Sequence, residues 1–222
     1  MFGNRIQTPE VTKNLIIINI IVFVATAIGG DFMYQTFALY YPASRFFRWW
    51  QVVTHMFMHG GLMHLFFNMY ALWIFGSVVE RMIGSKKFLL FYFLCGLGAA
   101  ALHLGVEALQ AQSFLTAMAD GSQTAMSSYA KLKATPTVGA SGAIYGVLIA
   151  YAMLFPQSTL TLIFPPISLK ARTWVLIFVG IELLTGIAGT TDGVAHFAHL
   201  GGMLVGWLMI LYWRKKGTLF ER

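Results

Sequence analysis

The sequence predicts an all-α polytopic membrane protein, a bundle of six membrane-spanning helices with both termini on the cytoplasmic side. Three observations carry that expectation. Of the 222 residues, 58% are hydrophobic and only 10% are charged, and the mean hydropathy is +0.70; soluble domains carry about 25% charged residues. Six apolar segments lie near the ~20 residues that a helix needs to cross a bilayer. The basic residues are divided unequally between the loops that alternate across those segments, as the positive-inside rule requires.

The spans are expected over 14–29, 62–79, 88–108, 138–155, 173–188 and 196–213, within one membrane domain that takes in residues 1–222. The first follows a polar stretch and precedes no small-residue cleavage site, so it reads as a span and not as a removable signal. With the N-terminus inside, Arg5, Lys13, Arg81, Lys86, Lys87, Lys170, Arg172, Arg214, Lys215, Lys216 and Arg222 face the cytoplasm. Only Arg45, Arg48, Lys131 and Lys133 face outward. The net charge of +7 is explained as orientation in the membrane, and nucleic acid is not an expected partner. A single cysteine, Cys95, excludes an intrachain disulfide and a cysteine-based metal site.

Two outer loops are long. Residues 30–61 are dense in Phe, Tyr, Trp and Met, side chains with an apolar body that suits the headgroup interface. They are expected to form an interfacial structure with short helices. Residues 109–137 are rich in Ala, Ser, Thr and Gln and read as a solvated loop or a short amphipathic helix.

Polar residues inside apolar spans are costly and ask for a reason. His64 and Asn68 open the second span, Ser141 opens the fourth within Gly139–Gly142 (GASG), and His196 and His199 open the sixth. Each even-numbered span starts at the outer face, so these side chains fall at similar depth, one or two turns below it. His64 and Asn68 are i, i+4 and share a helix face. Ser141 and Tyr145 share another, beside Gly142 and Gly146; His199, Gly202 and Gly206 form one stripe. Small residues at such spacing let membrane helices approach closely. Packing the two glycine faces brings Ser141 to His199, which is the arrangement of a nucleophile and its base.

His196 is the rival base, but the glycine stripe runs from His199. His55 and His59 are i, i+4, yet no carboxylate accompanies them and no HExxH occurs, so no metal is expected.

In RWWQVVTHMFMHGGLMHLFFN (Arg48–Asn68), GASGAIYG (Gly139–Gly146) and AHLGGMLVG (Ala198–Gly206), the chain resembles the rhomboid family of intramembrane serine proteases. The resemblance implies a rhomboid-like six-helix fold and a Ser-His dyad, with Ser141 as nucleophile and His199 as general base. It implies that Tyr145 stacks on His199, and that His64, Asn68 and the Ser141 N–H stabilise the oxyanion. Gly139 and Gly142 would permit close approach of the backbone, and His59 and Arg48 would be structural. A third catalytic member is not expected: the sequence offers no intramembrane Asp near His199, and the resemblance gives Asp192 no role. Substrates would be single-span membrane proteins entering laterally between spans two and five, without a cofactor, in a bacterial cytoplasmic membrane.

The chain departs from the family where an E-x-R pattern reads Glu80-Arg81-Met82, so a different buried polar network is expected there. The 109–137 loop is also longer than in compact members. A non-catalytic rhomboid-like binder of membrane clients is the alternative function, and the complete set of site residues argues against it. A transporter or haem carrier would have no use for the GASG segment.

Overall fold

The computed structural model describes residues 7–161, 166–188 and 193–220, and the protein is mostly helical along them. Arg5, Asp192 and Arg222, considered above for charge and for catalysis, lie outside the described residues. Helix α1 (Glu10–Phe37) starts directly after Pro9 and places the acidic Glu10 in its first turn, where the helix dipole favours it. Its predicted boundary at Gly29 falls beside a kink. Gly30 takes φ 49°, a left-handed conformation that glycine adopts without a Cβ clash, and the helix then resumes to Phe37.

The aromatic segment that follows is ordered by side chains that bond to backbone. Gln51, in the short α2 (Gln51–Thr54), is buried and donates to the carbonyls of Gln35 and Phe46 at 3.1 and 2.9 Å. Trp50 Nε1 donates to Thr36 at 2.8 Å, and Thr54 Oγ1 to Phe37 at 2.7 Å. A 3₁₀ turn over His55–Phe57 completes the segment. The predicted short helices are therefore present.

Helix α3 (Leu62–Ile83) is a 22-residue element with a π-helical stretch at Leu72–Gly76. Helix α4 (Ser85–Ala119) runs about three turns beyond the expected end of its span. After a turn it folds back as α5 (Gln123–Ala134), whose N-cap Ser122 accepts from the Ala125 N–H at 3.3 Å. Of the two readings of 109–137, solvated loop or short helix, the helical one holds: the segment is a helical hairpin, and its alanine content favours helix. Helix α6 (Ser141–Leu154) is short. An unforeseen two-stranded antiparallel hairpin, β1 (Thr159–Thr161) with β2 (Ser168–Lys170), leads into α7 (Ala171–Ile187). Helix α8 (Gly193–Lys215) ends the bundle.

Four of these helices, α1, α3, α4 and α8, are long and apolar enough to cross a membrane, while α6 and α7 have 14 and 17 residues. This is an integral, multi-pass membrane architecture. Its centre is the junction of α4, α6 and α8. A Cβ on Gly146 would lie 2.5 Å from Cys95 Sγ, and one on Gly206 would lie 2.9 Å from the Gly146 carbonyl. A Cβ on Gly202 would overlap the Gly142 carbonyl. The glycine faces of α6 and α8 therefore meet as their spacing predicts, backbone against backbone. Below them Phe88, Phe91 and Tyr92 of α4 are fully buried.

At the pole where α1 begins and α3 ends, the Glu80-Arg81-Met82 departure has a clear structure. Glu80 is 1% exposed and accepts from the Val11 and Thr12 N–H groups at 3.0 and 2.7 Å, from Thr12 Oγ1 at 2.7 Å and from Ser85 Oγ at 2.7 Å. Two of the orphan donors of α1 are satisfied by a side chain of α3. Arg81 turns outward to the Gln7 carbonyl.

Candidate active site

The opposite pole holds the start of α6. Thr137 pairs with Leu39 through two backbone hydrogen bonds of 2.9 and 2.8 Å, and its hydroxyl lies 2.8 Å from His103 Nε2 on α4. Two residues later the Gly139 N–H donates to the His55 carbonyl at 3.0 Å. Gly139 has φ 137°, and a Cβ there would press within 3.1 Å of the His64 ring and 3.4 Å of Ser141 Oγ. Glycine is what lets the His64 ring, the loop and the serine meet. Ser141 is the first residue of α6, and the first N–H groups of a helix have no partner within it.

Ser141 Oγ lies 2.9 Å from His199 Nε2. The two residues come from helices held at backbone contact by Gly142, Gly146, Gly202 and Gly206, so the packing described above sets this distance. Tyr145, one turn along α6, stacks on the His199 ring with centroids 4.2 Å apart and planes 8° from parallel. A stacked imidazole whose Nε2 faces a serine hydroxyl can take that proton when the oxygen attacks.

His64 and Asn68 share a face of α3 as expected. Asn68 Nδ2 donates to the His64 carbonyl at 3.0 Å, which commits one of its two amide protons and leaves the other. His59 is buried edge-on to His64, with ring centroids 5.0 Å apart. Burial, reinforced by the His64 ring, lowers the His59 pKa from 6.5 to about 4. His55 is likewise held to about 4, chiefly by burial, and its Nδ1 lies 2.8 Å from the Gln51 carbonyl. The i, i+4 pair of His55 and His59 is thus a pair of buried, neutral rings. Arg48 stays in the aromatic segment, its Nη1 donating to the Arg45 and Phe47 carbonyls at 3.1 and 2.7 Å.

One residue of this pole escaped the sequence reading. Glu182 of α7 is 4% exposed, and its carboxylate lies beside both histidines of α8. Oε2 is 2.5 Å from His196 Nδ1 in an aligned hydrogen bond. Oε1 is 3.0 Å from His199 Nδ1, within ion-pair distance but without hydrogen-bond alignment. The sequence reading considered only an Asp as an acidic neighbour of His199; the carboxylate beside it belongs to a Glu. The carboxylate comes from α7 and not from the helix that carries His199. The available signal was an ionisable residue in the middle of TWVLIFVGIELLTGI, which is itself a marker of function in a membrane helix.

Glu182, His196 and His199 also form a group whose ligand atoms lie within 4.8 Å of one another. Within this group the 2.5 Å contact of His196 Nδ1 with Glu182 Oε2 is a hydrogen bond.

The family model described as Rhomboid domain matches residues 47–216 of the chain. Rhomboid protease GluP of Bacillus subtilis is 29% identical over 164 residues, covering 71% of this chain and 25% of that protein. Presenilin-associated rhomboid-like protein A, mitochondrial, of Danio rerio is 30% identical over 189 residues, covering 81% of this chain and 43% of the relative. Rhomboid protease AarA of Providencia stuartii is 29% identical over 163 residues, covering 72% and 54%. The chain thus spans between a quarter and about half of the length of these relatives.

Proposed function

The chain belongs to the rhomboid family, and from that premise we propose that it is an intramembrane serine endopeptidase that cleaves single-span membrane proteins near the outer membrane face. The observation that carries this reading is the 2.9 Å contact between Ser141 Oγ and His199 Nε2 under the Tyr145 ring. Two of the relatives are named as proteases.

In the proposed reaction Ser141 Oγ attacks the scissile carbonyl carbon while its proton passes to His199 Nε2. The Ser141 N–H, the His64 ring and the free Asn68 amide proton donate to the oxyanion, where prealigned dipoles act most strongly. His199 then returns the proton to the departing amine. Water, activated by the same ring, releases the acyl fragment. A substrate helix has its amides bonded internally and must unwind locally before attack, so small and helix-weakening residues favour a cut.

We read the topology as six spans with both termini cytoplasmic, on the distribution of Lys and Arg, in a bacterial cytoplasmic membrane. Substrate enters laterally between α3 and α7. Helix α7 packs on α6 and α8 and turns Leu176, Leu184 and Ile187 outward to lipid.

The test is covalent labelling of detergent-purified protein by a fluorophosphonate. Wild type is expected to be labelled, and Ser141→Ala and His199→Ala to lose labelling by about 10⁴-fold or more while remaining folded. Labelling that persists in Ser141→Ala overturns the nucleophile assignment.

A further inference from the structure

A carboxylate inside a membrane helix is expensive unless its charge is matched by donors. Two imidazoles lie beside Glu182, both on one face of α8, since His196 and His199 are i, i+3. Each oxygen serves one ring. If Glu182 only tied α7 to α8, the aligned bond from His196 to Oε2 would be enough. The second oxygen at 3.0 Å from His199 Nδ1 has another consequence.

A neutral imidazole carries one N–H and one bare nitrogen. For His199 to accept from Ser141, Nε2 must be bare and Nδ1 must hold the proton, so an acceptor beside Nδ1 selects the reactive tautomer. We propose that Glu182 is the positioning residue of this site, a third member that fixes the tautomer of His199 and neutralises the imidazolium as it forms.

The proposal rests on the reading of Ser141 and His199 as nucleophile and base. The Oγ–H bond of Ser141 breaks as the Oγ–C bond forms, Nε2 gains that proton, and Nδ1 keeps its own against the carboxylate. Glu182 is unprotonated throughout. The off-axis Nδ1–H of the resting site tightens onto Oε1 as the ring becomes charged; unliganded catalytic contacts are often misaligned in this way.

The experiment measures kinact and KI of a fluorophosphonate on wild type, Ser141→Ala, Glu182→Gln and His196→Gln, with the thermal midpoint of each. Glu182→Gln is expected to lower kinact by about 10²-fold or more with KI nearly unchanged. His196→Gln stays within a few-fold of wild type. An unchanged kinact in Glu182→Gln overturns the proposal, as does an equal loss in both variants, which makes Glu182 a helix clamp alone. Wild type without Ser141-dependent labelling instead fails the underlying assignment.

A second measurement needs no Glu182 variant. Nitrogen-15 spectra of histidine-labelled wild type, assigned with His196→Gln and His199→Ala, should show His199 protonated at Nδ1 and bare at Nε2 at neutral pH. The opposite tautomer overturns the proposal even if Glu182→Gln does not fold.

Discussion

Two buried glutamates stand at opposite poles of this bundle, and their partners differ in kind. Glu80 is surrounded by two backbone N–H groups and two hydroxyls, none of which changes charge near neutral pH. Glu182 faces two imidazoles, and one of them touches a serine. Burial and residue type are the same. What separates them is whether the donors can exchange protons. A carboxylate ringed by fixed donors closes a helix end and ties three helices together; one that faces titratable rings can take part in moving a proton. Burial of an acid by itself therefore says little about chemistry.

Three further experiments separate the roles of the two poles. The largest effect is expected at the reactive pole. Asn68→Ala removes a donor whose free amide proton is assigned to the oxyanion, and kcat should fall by about 10²–10³-fold with little change in thermal midpoint. Cleavage of a single-span substrate at the wild-type rate would remove Asn68 from the site and leave only its bond to the His64 carbonyl.

Glu80→Ala should show the inverse pattern. It strands the N–H groups of Val11 and Thr12 and should lower stability by about 1–3 kcal/mol, read as a drop in the thermal midpoint. The fluorophosphonate labelling rate of the folded fraction should match wild type. A slowed rate in a fully folded Glu80→Ala protein would erase the distinction between the poles.

The smallest effect concerns pH. His55 and His59 titrate near 4 in the folded protein and near 6.5 when unfolded. Between those values the unfolded chain binds more protons, so stability falls as pH drops from about 6.5 to 4 and is fully present above that window. The thermal midpoint should fall across this range, and less steeply in His59→Phe. A flat midpoint from pH 7 to 4 would show that these rings are not held neutral by the fold.

Much of the reactive pole was legible because its signals are local. The stripe of His199, Gly202 and Gly206 and the pair of Gly142 and Gly146 are spacings within single helices, and they predicted which faces meet. His64 and Asn68 were legible for the same reason. The hairpin of α4 and α5 was half legible: polarity marked a segment outside the apolar span, but hydropathy does not report helix propensity. Thr137 gave no sign in the sequence that its pairing with Leu39 and its contact with His103 would set the approach to Gly139.

Composition alone places the chain in a membrane, because too few charges remain for a water-facing surface. The placing of Ser141 and His199 on glycine-faced helices is also readable from the chain, because helical periodicity is a property of one segment. What accompanies them emerges from packing between helices. Glu182 is a lone carboxylate in an apolar run, and nothing on its own helix says whether it meets lipid, water or an imidazole. Its meaning depends on the rotation of α7 against α8, and that is set by packing between segments.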